Sequence, residues 1–224
     1  MKKLSYQKNL FSMFSLFVFF IGLFQGIGSY ATTKSSLFEV ASKYRKTGLV
    51  TIHFTKTVKS NLLGKESKFK GTIYLGASKF RMNVEEPEKN QIIFDGSTIW
   101  NVQFPPKELP GPVQVAKAKL DKNSKKQILI STLISKDGLQ KNFKINKEEK
   151  QDFTTKYFLT PLNPELNLKS LEVNVKESKF ISLTYKDDVG NLTQLDFEKT
   201  EFSSKTNVKI FKYKPSKEDQ VTNL

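Results

Sequence analysis

The feature that most constrains the fold is a change of hydrophobic period after Gly48. From there, apolar and polar residues alternate through successive short runs, first in VTIHFTK at 50–56 and again in FKGTIYL at 69–75. Alternation at a period of two predicts β-strands that each have one apolar face. Turn-forming residues such as Glu86 and Pro87 separate the runs, so the strands are joined by short connections and must be antiparallel neighbours.

The strongest turn signal is the dipeptide Asp95-Gly96. It stands between two apolar runs at 91–94 and 99–102, an arrangement typical of a tight β-hairpin. The stretch 105–126 that follows is rich in proline and lysine. Because proline cannot donate to a strand ladder, we expect an exposed, irregular connection there.

Two segments have helical rather than strand periodicity. Ser36 and Glu39 form a capping-box pattern ahead of apolar residues at helical spacing, which predicts a first helix that stops at Gly48. The sequence KKQILISTLISK at 125–136 predicts a second helix, and Gly138 is expected to end it. The apolar face of this second helix consists of Ile128, Leu129 and Leu133.

Strand patterns return in the C-terminal half, between Tyr157 and Phe197, and the sequence KDDVGN at 186–191 predicts a turn among them. A last apolar run at 208–213 leads into a polar tail. This many sequential strands must curl to bury their apolar faces. The pattern therefore predicts a mainly β protein with some α structure, in which a curved antiparallel sheet carries helices on its concave side.

The N-terminal residues have the order of a secretory signal peptide. Three lysines precede an apolar run at 10–24, and small residues occupy positions −3 and −1 of a cut after Ala31. The alternative is an uncleaved membrane anchor, but the run is shorter than the roughly 20 residues of a spanning helix. We expect residues 1–31 to be cleaved and residues 32–224 to form a single domain.

Composition limits the classes of function. The chain has no cysteine, so an exported form must be stabilised by core burial and sheet pairing rather than by disulfides. Its net charge of +15 is typical of a well-solvated, lysine-rich surface, and the alternative is attraction to anionic membranes or acidic partners. Export and the lack of a recognition motif argue against nucleic acid. The many apolar residues fit either a well-packed core or a cavity.

The chain offers little for catalysis. His53 is its only histidine, and its position in the alternating run places it on the polar face of a strand. No second histidine or cysteine is present to complete a metal site, and no nucleophile-elbow motif accompanies a serine. We therefore predict no catalytic residues, no metal and no cofactor.

Four stretches resemble, in order and spacing, the LolA family of periplasmic outer-membrane lipoprotein carriers. They are VTIHFTK at 50–56, FKGTIYL at 69–75, KFRMNVEEPEKNQIIFDGSTIW at 79–100 and VKIFKYKP at 208–215. The resemblance implies an open, unclosed antiparallel β-barrel with lid helices over an apolar cavity. It also implies a lipid-binding role for the apolar residues that face this cavity: Ile52, Phe54, Ile73, Leu75, Phe80, Met82, Ile93, Trp100, Ile128, Leu129 and Leu133.

The function implied by the resemblance is a monomeric carrier in the periplasm of a Gram-negative bacterium. It would take acylated lipoproteins from an inner-membrane ABC exporter to an outer-membrane receptor and shield their acyl chains on the way. The alternative with the same fold is a periplasmic sensor of another amphiphile, such as a glycolipid or a mislocalised lipoprotein. An enzyme and a membrane-surface protein held by charge are the remaining alternatives.

The sequence departs from the family pattern at three places. The family's Phe-x-Gln is Phe54-Thr55-Lys56, and the tryptophan of its third strand is replaced by Met82. Well-known members also carry an arginine just before that strand, which latches the lid; here Lys79 or Arg81 are the candidates to replace it. We expect the 125–136 helix to be a movable lid, and the alternative is a structural helix that closes one barrel end.

Overall fold

The computed structural model describes residues 36–119 and 129–224, so the predictions for residues 1–31 and for Ile128 lie outside it. Residues 34–224 belong to one compact unit. Its strands are β1 (Leu49–Lys59), β2 (Glu66–Gly76), β3 (Lys79–Glu86), β4 (Asn90–Phe94), β5 (Thr98–Gln103), β6 (Gln114–Lys119), β7 (Phe143–Gln151), β8 (Thr154–Pro161), β9 (Leu168–Lys176), β10 (Lys179–Asp187), β11 (Leu192–Ser203) and β12 (Gln220–Asn223). Its helices are α1 (Leu37–Lys46), α2 (Leu129–Ile134) and α3 (Gly138–Asn142), with 3-10 turns at Pro164–Leu166 and Val208–Phe211.

All twelve strands join one sheet in the order β12-β6-β5-β4-β3-β2-β1-β11-β10-β9-β8-β7. Every neighbouring pair is antiparallel except β6 and β12, which run parallel. Strands β12 and β7 stand at the two ends of this order and do not pair with each other, so the described sheet is unclosed. The predicted class, a mainly β protein with an open antiparallel barrel, is confirmed.

The start of α1 follows directly from its sequence. The Ser36 hydroxyl accepts a hydrogen bond from the Glu39 amide, and the Glu39 carboxylate accepts one from the Ser36 amide, which completes the predicted capping box. The helix buries Leu37, Val40 and Tyr44 against the sheet. None of the described helices reaches the length and hydrophobicity needed to cross a bilayer.

Three predictions about the elements are wrong. The region after the prolines is not wholly irregular, because residues 114–119 form β6. Gly138 does not end the second helical segment but begins α3. The run at 208–213 includes a 3-10 turn, and the polar tail that follows, for which no strand was expected, supplies β12. Strands β6 and β12 pair with each other through backbone hydrogen bonds, and neither carries a long apolar stripe that would mark it as a strand.

Candidate functional site

One face of the sheet is built from apolar side chains that match across five strands. Directly paired residues of antiparallel strands lie on the same face. In the first row, directly paired residues run from β1 to β5: Val50, Leu75, Phe80, Phe94 and Ile99. In the second row they run from β1 to β4: Ile52, Ile73, Met82 and Ile92. We call these two rows, together with the apolar residues of β8 to β11 in the same core cluster, the apolar face.

Burial changes along the second row. Ile52 and Ile73 are fully buried, at 0% exposure each, whereas Met82 and Ile92 are only partly buried. Ile99, at the end of the first row, is also partly buried. Along the second row the apolar face is therefore sealed at β1 and β2 and partly open at β3 and β4, and the first row is partly open only at its β5 end.

Helix α1 is held firmly on this face. The Tyr44 ring lies 4.7 Å from the Phe180 ring and 5.0 Å from the Phe202 ring, measured between centroids. The Tyr44 hydroxyl accepts a hydrogen bond of 3.1 Å from the Phe180 amide, and burial raises the pKa of Tyr44 to about 12. Aromatic packing and a buried hydrogen bond together fix α1 to the sheet.

Helix α2 is shorter and docks mainly through aliphatic side chains. Ile130, Leu133 and Ile134 are buried in the same core cluster as the apolar face, and Leu129 packs against that cluster while partly buried. The guanidinium of Arg45, on α1, donates a long 3.5 Å hydrogen bond to the Ser135 carbonyl at the end of α2. This arginine contact between the helices was not predicted.

The corner between α2 and α3 is tightly packed. A Cβ on Gly138 would overlap the Thr132 carbonyl oxygen and the Ser135 hydroxyl, so only glycine fits there without a shift. The Asn142 side-chain amide donates to the Gly138 carbonyl at 2.8 Å, and the Asn142 carbonyl accepts from the Leu162 amide at 2.8 Å. Helix α3 is thereby attached to the connection between β8 and β9.

A single lysine interrupts the apolar face near one end. Lys56 pairs with Phe69 on β2 and with Leu195 on β11, so its side chain shares their face. Its ammonium lies 5.4 Å from the centre of the Phe69 ring, and burial lowers the pKa of Lys56. The departure from the family's Phe-x-Gln pattern thus puts a cation at the border of the apolar face.

The structure places the predicted lipid-binding residues in two separate clusters. Eight of the ten that it describes belong to the core cluster of the apolar face: Ile52, Phe54, Ile73, Leu75, Phe80, Met82, Leu129 and Leu133. The other two, Ile93 and Trp100, form a second cluster with Val102 and Val115. The prediction that they share a face with Phe80 and Met82 is wrong, because Ile93 pairs with Arg81 and not with either of those residues.

The C-terminal segment covers this second cluster. The Tyr213 ring lies 5.5 Å from the Trp100 ring between centroids, and Phe211 is buried at 1% exposure beside Gly76. The Arg81 guanidinium donates a 2.9 Å hydrogen bond to the Ile210 carbonyl. Arg81 therefore holds the C-terminal segment.

Two pockets open at the sheet, and the predicted lipid-binding residues line neither of them. One, of about 440 Å³, lies between the β3–β4 turn and the proline-rich connection before β6. The other, of about 410 Å³, lies beside the turn between β9 and β10 and residues 197–200 of β11. Charged or amide side chains contribute to both linings. Within the described residues, the apolar face is packed by its own side chains and by the helices.

The described residues offer no assembled metal cluster. No group of three His, Asp or Glu side chains in ranges 36–119 and 129–224 is arranged to hold a metal ion. His53 is exposed, as expected for the polar face of its strand, and its Nδ1 atom lies 3.4 Å from the Thr72 hydroxyl.

The chain is similar to known proteins in both sequence and fold. The family model described as "Outer membrane lipoprotein carrier protein LolA" matches residues 45–214. Among curated proteins no significant match is found. An uncharacterized conserved protein from Thermus thermophilus superimposes with a TM-score of 0.52 at 10% identity, over 84% of this chain and 97% of that chain.

Two further solved structures are more distant in shape. A LolA superfamily protein from Nitrosomonas europaea gives a TM-score of 0.41 at 13% identity, over 80% of this chain and 97% of that one. A putative outer membrane lipoprotein-sorting protein domain from Vibrio parahaemolyticus gives 0.39 at 11% identity, over 78% and 95%.

Proposed function

Because the chain belongs to the LolA family of outer membrane lipoprotein carrier proteins, we propose that it is a periplasmic carrier of lipoproteins. In this proposal the apolar face shields the acyl chains while the protein moves them from the inner to the outer membrane. The observation that supports it most is the change of burial along one row, from fully buried Ile52 and Ile73 to partly buried Met82 and Ile92.

The physical requirement for such a carrier is simple. Each CH₂ group of an acyl chain that is exposed to water costs about 0.8 kcal/mol, so chains of lipid length must stay covered throughout the transfer. A half-open apolar row is a place where a chain can first make contact. Displacing α2 would uncover more of the apolar core cluster, because Leu133 is buried in that cluster.

Lys56 gives the proposed site a polar border. A buried ammonium is costly unless it finds hydrogen-bond acceptors. The ester and amide carbonyls of a lipoprotein's acylated N-terminus are such acceptors, and they lie where the chains leave the apolar region. We therefore assign Lys56 to the polar end of the bound acyl groups.

The partners follow from the same proposal. An inner-membrane ABC exporter would deliver the acylated lipoproteins, and an outer-membrane receptor would accept them. Members of the family are carriers or binding proteins, and carriage of this kind makes and breaks no covalent bond. The proposal therefore includes no catalytic residue and no cofactor, and the carrier acts as a monomer.

The test is recovery of cargo from cells that produce the protein. The exported form is purified without detergent, and native mass spectrometry identifies what is bound. Met82→Glu places a charge on the half-open row and is expected to remove bound acylated protein. His53→Glu adds the same charge to the exposed side of β1 and serves as the matched control.

Three outcomes decide the matter. Acylated lipoprotein on the wild type and on His53→Glu, but not on Met82→Glu, supports the carrier. A free glycolipid in place of an acylated protein indicates the sensor alternative. Equal recovery of lipoprotein from all three proteins contradicts the assignment of the apolar face.

A further inference from the structure

A group of exposed aliphatic side chains lies at one end of the sheet. Leu62 and Leu63, in the turn between β1 and β2, are 90% and 68% exposed, and Val189, in the turn between β10 and β11, is 71% exposed. Single exposed apolar residues are common on protein surfaces, but neighbouring ones form patches that mark interaction sites. We call Leu62, Leu63 and Val189 the aliphatic rim.

The two turns that carry the rim are fixed to each other. The Asn61 amide donates to the Asn191 side-chain oxygen at 3.0 Å, and the Asn61 side chain donates to the Val189 carbonyl at 3.3 Å. The Asp187 carboxylate in turn accepts two 2.8 Å hydrogen bonds from Asn191. The two turns that carry the exposed aliphatic residues are therefore braced against each other.

The rim stands at the end of the sheet where the apolar face is less completely covered. Phe69, Tyr185 and Leu168, which lie near that end of β2, β10 and β9, are partly buried members of the main core cluster. Lys56 borders the same end, through its pairing with Phe69. A surface that contacts the rim thus also approaches the border of the apolar face.

The chemistry of the rim fits a lipid surface better than a protein surface. The residues that contribute most of the binding free energy at protein interfaces are enriched in Trp, Tyr and Arg. The turn sequences at 60–65 and 187–191 contain none of these residue types. Aliphatic tips on projecting turns can enter the acyl region of a bilayer without needing a complementary pocket.

The charges around the rim suit a bilayer that contains anionic lipids. Exposed Lys59, Lys65 and Lys186 flank it, and their long side chains can reach the headgroups while the leucines insert. Glu66, Asp187 and Asp188 balance these three lysines locally, so the attraction to anionic lipids comes from the chain as a whole, which carries +15 and keeps a positive charge when the three lysines of residues 1–31 are removed. We propose that the aliphatic rim docks on the surface of a phospholipid bilayer containing anionic lipids, with Leu62 and Leu63 inserted.

This inference goes beyond the proposed carriage of lipoproteins and needs no cargo. The first test is flotation of the exported form, its first residue established by N-terminal sequencing, with vesicles of phosphatidylethanolamine and phosphatidylglycerol. The double variant Leu62→Ser, Leu63→Ser is expected to bind at least about tenfold more weakly than the parent. Phe153→Ser, which removes a 79% exposed side chain from the turn at the opposite end of the sheet, is expected to bind like the parent.

Depth of insertion gives a second, independent readout. Because the chain has no cysteine, Leu63→Cys and Phe153→Cys each provide a single site for an environment-sensitive fluorophore. On vesicles, the label at position 63 is expected to shift to the blue and to be quenched by nitroxides on the acyl chains. The label at position 153 is expected to stay unchanged.

Several results would overturn the proposal. One is a parent protein that does not float. Another is flotation that is abolished by salt yet equal in the parent and the double leucine variant, which would indicate attraction by charge alone. A third is that the parent binds a protein partner in the absence of vesicles, while the double variant does not bind it. The two proposals can fail separately. Met82→Glu is expected to lose bound lipoprotein but to float with vesicles like the parent, because Met82 does not belong to the aliphatic rim.

Discussion

Substitution of Leu133 by alanine tests whether α2 is a lid. The helix docks through Ile130, Leu133 and Ile134, which are 6%, 1% and 8% exposed, and Leu133 is the most deeply buried of the three. If α2 undocks while the sheet stays folded, weakening this contact will raise the population of the undocked state alone. If α2 is part of one cooperative core, the same change will destabilise the whole domain.

The expected magnitude follows from the burial of Leu133. Replacing a fully buried leucine by alanine costs about 2–5 kcal/mol, through lost transfer free energy and the cavity that remains. A value of about 3 kcal/mol corresponds to roughly a hundredfold change in the docking equilibrium. The amides of α2 (Leu129–Ile134) should therefore exchange with solvent roughly a hundred times faster in Leu133→Ala than in the parent.

Hydrogen exchange measured by mass spectrometry on the cargo-free protein provides the assay. A movable lid predicts faster exchange in α2 with unchanged exchange in the hairpin of β4 and β5. It also predicts tighter binding of an apolar probe, because the cost of undocking is partly removed before the probe binds. Leu171→Ala, at an equally buried position in β9, is the control and should accelerate both segments together.

The lid hypothesis is refuted by a particular pattern. If α2 and the β4–β5 hairpin are protected equally in the parent, and Leu133→Ala accelerates both to the same extent, α2 opens only when the domain unfolds. It would then be the structural helix that the sequence also allowed.

Three further substitutions test features of the sheet. Gly71→Ala would place a Cβ over the Asn83 carbonyl oxygen, and we expect it to lower the free energy of urea unfolding by about 3 kcal/mol or more. Tyr44→Phe tests whether ionisation of Tyr44 is coupled to unfolding. Burial raises the pKa of Tyr44 to about 12, so its contribution to stability is present below the unfolded pKa of about 10 and is lost as pH rises toward 12. The variant should lack this part of the decline in stability. Tyr213→Ala uncovers Trp100, whose emission should move to longer wavelength.

Each of these tests has a control or an outcome that contradicts it. A Cβ on Gly111 meets nothing within 4 Å, so Gly111→Ala should leave the urea midpoint unchanged, and an equal loss in both glycine variants would refute the clash. Equal losses of stability in Tyr44→Phe and the parent between about pH 9 and 11 would contradict the linkage. Lys212→Ala, at an exposed neighbour of Tyr213, should leave tryptophan emission unchanged.

The strands that could be predicted are those whose apolar side chains alternate. In β1, for example, Val50, Ile52 and Phe54 are buried at 0%, 0% and 2% exposure, with polar residues between them. Such a pattern is visible because one face meets the core and the other meets solvent. The capping box of α1 was visible for a similar reason, since its hydrogen bonds join residues only three positions apart.

The strands that could not be predicted lie at or beside the ends of the sheet. In β7, every side chain after Ile145 is exposed, and its sequence NKEEKQ offers no apolar stripe. In β12 all four residues are exposed. These strands are recruited by backbone hydrogen bonds, which carry no side-chain signature, and charges on such an edge also discourage pairing with other chains.

The misplacement of Ile93 and Trp100 has a different cause. Both residues were correctly predicted to be apolar strand positions, but periodicity within a strand does not fix its register against the next strand. Phe80 pairs with Phe94, so Ile92 and Phe94 join the apolar face while Ile93 faces away. A shift by one residue would have exchanged these sets. Register depends on the turns on either side, and their geometry was not readable from composition.

The second cluster also bears on where cargo can bind. Tyr213, Phe211 and the Ile210 carbonyl are engaged with Trp100, Gly76 and Arg81, so the C-terminal segment already covers the apolar part of that side of the sheet. A lipid that bound there would have to displace a covalently attached competitor, whose effective concentration is high. On the apolar face, by contrast, the half-open row needs no displacement for first contact, and the lid hypothesis moves α2 while α1 stays fixed by its Tyr44 contacts. The proposed carriage therefore depends on the side of the sheet that holds Met82, whereas the side that holds Trp100 is already covered by the C-terminal segment.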